Sequence, residues 1–223
     1  MTKFNLSLLF SLWPFFILSF FIWGWLLNKL AYILLNSKKQ RSNWLFNLIT
    51  IILSGIIFSI SYNILSPKQF LTSLLFFSAL LVTIRTDLEH MLISEAVTIY
   101  LIPAGLILSY FNFTWTTLPL AIIGTIVGYL CLWTINKIFY LFSGKNGLGE
   151  GDMDLLAMIG SFTGLFGVWA SILLGSISAS IIGIIYILIK KDKEVKIPFG
   201  LFLSMGAILF VLLKEQIFNY LLK

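Results

Sequence analysis

Eight long apolar runs joined by short connections leave this chain little choice of fold. They cover residues 6–35, 44–65, 70–84, 91–111, 117–142, 153–166, 168–189 and 197–213. A helix needs about 20 apolar residues to cross the hydrocarbon core of a bilayer. Strands of a membrane barrel would alternate polar and apolar residues, and these runs do not. Hydrophobic residues are 59% of the chain and charged ones 11%, too little polar surface to hydrate a soluble domain. The reading is an all-α, polytopic membrane protein of about eight transmembrane helices. It makes one membrane-embedded domain over 1–223, with no separate cytoplasmic domain. The first run is a retained helix rather than a secretory signal, because it is too long and its basic residues follow it.

The formal net charge is +6, and its distribution speaks for topology, not nucleic acid. With the N-terminus outside, the inner connections hold Lys29, Lys38, Lys39, Arg41, Arg85, Lys137, Lys145, Lys190, Lys191, Lys193 and Lys196. The outer side holds Lys3, Lys68, Lys214 and Lys223. Basic residues concentrate on the cytoplasmic side of membrane proteins, so this asymmetry orients the chain. The single cysteine, Cys131, excludes an intrachain disulfide and a Cys-pair metal site within this sequence. Trp115 sits in a short outer turn, where tryptophan is favoured at the interface.

Six of the nine carboxylates fall in two segments at the ends of apolar runs. One carries Asp87, Glu89 and Glu95; the other carries Glu150, Asp152 and Asp154. Charge at membrane depth costs several kcal/mol, so acids beside spanning helices point to function. Both segments face the cytoplasm in the orientation above. The run 153–166 is short: about 14 residues rise roughly 21 Å, against about 30 Å of hydrocarbon. Asp152 is therefore expected to start its helix below the membrane surface. The flexible, glycine-rich segment 144–151 would lead to it.

Asp87 and Asp152 end different helices, and an aspartic protease needs such a pair. One carboxylate takes a proton from water while the other, protonated, polarises the scissile carbonyl. The opposed dipoles of the two helix ends would make Asp152 the general base and Asp87 the general acid. A serine–histidine system would depend on His90, the single histidine, and there is no GxSxG elbow. The aspartic chemistry calls for no metal and no cofactor.

The residues around these aspartates resemble a known family. Gly149-Glu150-Gly151-Asp152 is a GxGD sequence, and residues 147–155 resemble the second signature of bacterial type IV prepilin peptidases. Asp87-Leu88-Glu89-His90-Met91-Leu92-Ile93 resembles their first signature. Ile197-Pro198-Phe199-Gly200-Leu201-Phe202-Leu203-Ser204 resembles the segment that opens their last helix. The resemblance implies a bacterial inner-membrane aspartic endopeptidase with Asp87 and Asp152 as the catalytic pair. Its partners would be type IV prepilins or type II secretion pseudopilins, cut after a glycine to remove a short basic leader. Glu89, Glu95, Glu150 and Asp154 would steer the basic leader, and Gly149 and Gly151 would let backbone approach the substrate.

Three departures accompany the resemblance. Family members commonly carry a cytoplasmic domain with two Cys-pair motifs and N-methyltransferase activity after the first helix. Here the connection 36–43 is short and has no cysteine, which implies peptidase action without N-methylation. The usual Pro-Asp of the first signature is Ser94-Glu95, and the usual lysine after the second aspartate is Asp154. The lysine replacement leaves a catalytically degenerate homologue open. A proton- or cation-coupled transporter is the reading from another class. It would place acids at mid-span and break helices in paired repeats, whereas these acids lie at the ends and no repeat is visible.

Overall fold

The computed structural model of the protein describes residues 22–34, 44–190 and 198–221. Residues 6–21 of the first expected span, the connection 36–43 and the lysines at 191, 193 and 196 lie outside these. The described residues are almost entirely helical, with no strand. In chain order the helices are α1 (22–34), α2 (Trp44–Ile64), α3 (Pro67–His90), α4 (Glu95–Thr98), α5 (Leu101–Tyr110), α6 (Leu118–Ser143), α7 (Glu150–Lys190) and α8 (Phe199–Leu221).

Four of them, α2, α3, α6 and α7, are long and apolar enough to cross a membrane. Residues 95–110 and 199–214 form shorter apolar helices. Large apolar side chains such as Ile33, Leu141, Phe142, Leu188 and Ile189 are exposed. Apolar surface on this scale marks a lipid contact, and the chain is a multi-pass membrane protein.

Helix α3 is the centre of the fold because neighbours enclose its second half, polar residues included. Ala79–Asp87 is buried without interruption, Thr83, Arg85, Thr86 and Asp87 among them. Ser66 starts it, capping the Gln69 N–H with its side chain, while the Gln69 side chain returns a bond to the Ser66 N–H. Pro67 follows at the first helical position, where its missing N–H costs nothing. Thr72, Ser73 and Thr86 stay buried because each hydroxyl donates to a carbonyl three or four residues back. One flank of α3 holds an aromatic cluster: Phe76 stacks on Phe162 at 4.8 Å, and Phe77 on Trp115 at 6.1 Å between centroids. Trp115 is thus a core residue, 4% exposed, rather than the interfacial anchor expected from its place in a turn.

The apolar run 91–111 is broken where one span was expected. Met91 leaves α3 in the left-handed region (φ 53°), with its N–H on the Asp87 carbonyl. A short loop then leads to α4 and α5. The first acidic segment is consequently not a loop throughout, since Asp87 and Glu89 belong to the last turns of α3 and Glu95 opens α4.

Helix α7 contains both of the runs 153–166 and 168–189. It is two helical arms that meet at a kink at Gly164, whose torsions are non-helical (φ 70°, ψ −168°). In an unbroken helix, Asp152 and Ala179 would lie about 40 Å apart along the axis. They line the same cavity, so α7 folds back on itself at Gly164. Packing agrees. A Cβ at Gly124 would sit 2.8 Å from the Gly160 carbonyl oxygen, and one at Gly128 would sit 2.6 Å from that of Leu156. The first arm of α7 therefore runs antiparallel to α6 in backbone contact. A Cβ at Gly175 would be 3.2 Å from Phe202, and one at Gly206 3.0 Å from Ser171, so the second arm runs antiparallel to α8. The reversal brings the end of α3, the end of α6, both ends of α7 and the start of α8 together at one end of the bundle.

Candidate active site

Asp87 and Asp152 meet at that end. Asp87 lies in the last turn of α3 and is 4% exposed; Asp152 lies in the first turn of α7 and is 9% exposed. Both open onto a cavity of about 920 Å³, bounded also by His90, the loop 146–149, Ala179, Ser180 and the start of α8. They are close enough for the Asp152 carboxyl to feel the charge of Asp87.

The start of α8 supplies what α3 cannot. The first N–H groups of a helix have no partner within it, and two of these point at Asp87. Leu201 N–H donates to Asp87 Oδ2 at 2.9 Å, and Gly200 N–H adds to it. The expectation that helix dipoles make Asp152 the base and Asp87 the acid considered only α3 and α7. With a third helix ending on Asp87, those two dipoles no longer rank the pair.

Ile93, in the loop after α3, wedges between the start of α7 and the start of α8. A Cβ on Gly151 would be 2.8 Å from Ile93 Cβ, and one on Gly200 2.6 Å from Ile93 Cδ1. Gly151 is therefore packed against protein. Gly149 differs: a Cβ there would meet only Asp152 Oδ2, at 3.5 Å.

The remaining acids do not gather round the pair. Glu89 is held by Arg85, whose Nε lies 3.3 Å from its carboxylate. Glu95, Glu150 and Asp154 lie near one another, since Asp154 feels the charge of both glutamates. Glu150 lines a second, smaller cavity of about 420 Å³ with Trp133, Asn136 and Lys137. Asn136, Ala179 and Ser180 carried no signal in the sequence analysis. A lone asparagine or a small residue within an apolar run looks like packing until the loop and the hairpin bring it to the site.

The family model described as the type IV leader peptidase family matches residues 74–188. Three similar proteins are each named a prepilin leader peptidase/N-methyltransferase. That of Legionella pneumophila is 33% identical over 153 residues, 68% of this chain and 53% of the relative. That of Xanthomonas campestris pv. campestris is 37% identical over 122 residues, 54% and 42%. That of Pseudomonas putida is 34% identical over 133 residues, 59% and 46%. The chain spans about half the length of the curated relatives it matches. No solved structure matches it.

Proposed function

Because the chain belongs to the type IV leader peptidase family, we propose that it is an aspartic endopeptidase of the bacterial inner membrane. Its substrates are type IV prepilins or pseudopilins, from which it removes the short basic leader by cleavage after glycine. The observation that carries this reading is the pair of buried carboxyls, from separate helices, on one cavity. The end of the bundle that holds them also carries the basic residues Lys137, Lys145 and Lys190, which supports a cytoplasmic active site.

The chemistry follows from the pair. Two carboxyls this close share a proton. The ionised one draws a proton from a water in the cavity, and that water attacks the carbonyl carbon of the scissile peptide. The protonated one donates to the carbonyl oxygen as its charge develops. The first carboxyl then passes the water's proton to the leaving amine as the C–N bond breaks. The second recovers its proton from the diol hydroxyl as the carbonyl re-forms, so the pair is ready for another cycle. The N–H groups of Gly200 and Leu201 keep Asp87 aimed. Glu95, Glu150 and Asp154, clustered outside the cavity that holds the pair, attract a basic leader electrostatically at range; Glu89 contributes less, being paired with Arg85. N-methylation is not part of the activity, because the connection 36–43 is short and carries none of the cysteines of the methyltransferase motifs.

Co-expression with a prepilin tests the reading. Leader removal appears as a faster-migrating pilin, absent with Asp152→Asn. A prepilin that stays full length beside inserted wild-type protein, across several pilin and pseudopilin substrates, overturns it.

A further inference from the structure

The loop that delivers Asp152 is tied back to α6 by one side chain. Asn136 Oδ1 accepts two backbone hydrogen bonds, from Gly147 N–H at 2.8 Å and from Leu148 N–H at 3.0 Å. Two converging N–H donors require the oxygen of the amide at that position. The rest of the connection leads into this clasp. Gly144 ends α6 in the left-handed region (φ 69°), with its N–H on the Tyr140 carbonyl at 2.8 Å. Ser143 Oγ accepts from Lys145 N–H at 3.3 Å. Gly147 lies against the ring of Phe139, where a Cβ would come within 2.7 Å of Cδ1. The clasped residues form the wall between the two cavities: Leu148 lines both, and Gly147 lines the one that holds the aspartates. Only three residues separate Leu148 from Asp152.

We propose that Asn136 is a positioning residue for the peptidase reaction, its side-chain oxygen fixing the loop 146–149 so that Asp152 is presented to the cavity. This rests on the peptidase reading above and deepens it. Asn136 does not contact Asp87 or Asp152 in the bonds described and lines only the neighbouring cavity. Its effect therefore reaches the chemistry through the loop, and falls on turnover rather than on leader binding.

Two substitutions separate the oxygen from the shape. Asn136→Leu keeps the size and removes the acceptor; Asn136→Asp keeps an acceptor oxygen for both N–H groups. Two readouts are taken on purified full-length protein in detergent. The first is tryptic nicking after Lys145, which sits exposed in the loop and is measured with no substrate present. The second is steady-state processing of a purified prepilin. Asn136→Leu should be nicked about tenfold faster than wild type, a factor equivalent to about 1.4 kcal/mol. It should also lose kcat by at least that factor with KM unchanged. Asn136→Asp should match wild type in both. Asn136→Leu that is nicked and turns over at wild-type rates overturns the proposal, as does Asn136→Asp as impaired as Asn136→Leu. If Asn136→Leu does not fold, nicking of Asn136→Asp decides alone: wild-type resistance supports the clasp, and rapid nicking refutes it. The failure of the peptidase reading looks different. Wild-type protein would then leave the prepilin intact, while the contrast in nicking persists.

Discussion

Alanine at Gly149, Gly151 and Gly200 should produce three different results, although two of these glycines belong to one sequence motif. At Gly149 the added methyl meets only Asp152 Oδ2, at 3.5 Å, an ordinary contact. Gly149→Ala should stay within about 0.5 kcal/mol of wild type, a factor of about two in rate. At Gly151 the methyl lies 2.8 Å from Ile93 Cβ, where carbon pairs prefer about 3.5–4.0 Å. Ile93 Cβ moves only with its backbone, so the overlap is resolved by displacing the start of α7 or the loop after α3. Overpacking of this kind costs about 1–3 kcal/mol, or about 5- to 150-fold if it falls on the geometry of Asp152. At Gly200 the conflict is with Ile93 Cδ1 at 2.6 Å and Asp87 Oδ2 at 3.0 Å. The first is the free end of a side chain; the second is fixed by Leu201.

Ile93→Ala separates the last two cases, because it deletes Cδ1 and keeps Cβ. Measured against Ile93→Ala alone, as a double-mutant cycle, the added Gly200→Ala should cost much less than it does in wild type. The added Gly151→Ala should cost as much as before. The assay is the initial rate of prepilin processing in membranes with enzyme matched by immunoblot. Equal rescue of both glycine variants, or a Gly149→Ala variant as damaged as Gly151→Ala, would refute the steric argument.

Asp87→Asn and Asp152→Asn should each abolish processing while the protein still inserts, because an amide cannot exchange the proton; native-rate cleavage by either ends the aspartic mechanism. Glu150→Gln should keep substantial activity, since Glu150 faces the neighbouring cavity, and complete loss would give it a role in the chemistry. Pilins matured by this chain alone should carry an unmethylated N-terminus; an extra methyl group by mass spectrometry, with no other methyltransferase present, contradicts peptidase-only action. Gly164→Ala should lower the melting temperature in detergent. Its torsions belong to a region essentially reserved for glycine, at a cost of about 1–3 kcal/mol, and a Cβ would press on the Thr116 hydroxyl. Unchanged melting would show that α7 reverses without needing that conformation.

The spans were legible because hydrophobic length is a property of the local sequence. The break between the runs 153–166 and 168–189 was legible too, although the structure reverses the chain three residues earlier, at Gly164. Trp115 shows where local reasoning fails. Its place in a short polar turn suggests the interface, yet stacking on Phe77, far away in sequence, buries it. The run 91–111 failed for a related reason. Ser94-Glu95 interrupts its hydropathy, but nothing in the residue types around Met91 marks the left-handed turn that ends α3 there.

The acids were found because charge beside apolar sequence is conspicuous, but their environments were not, because each is set by a helix other than its own. Asp87 ends α3 and receives N–H groups from the start of α8, a contact across 114 residues of sequence. Asp152 begins α7, and the loop before it is clasped by Asn136 from α6. An argument that gives each carboxyl only its own helix dipole therefore assigns roles from half of the local field. The same arrangement satisfies the loop that precedes the first arm of α7. The glycine-rich backbone leading to Asp152 is irregular, and such backbone is tolerated at membrane depth only when protein or a wet cavity satisfies it. Here Asn136 takes two of its N–H groups, and the cavity of about 920 Å³ opens on the other side. Loosening α6 or α8 should therefore disturb the aspartates more than trimming the apolar faces of their own helices does.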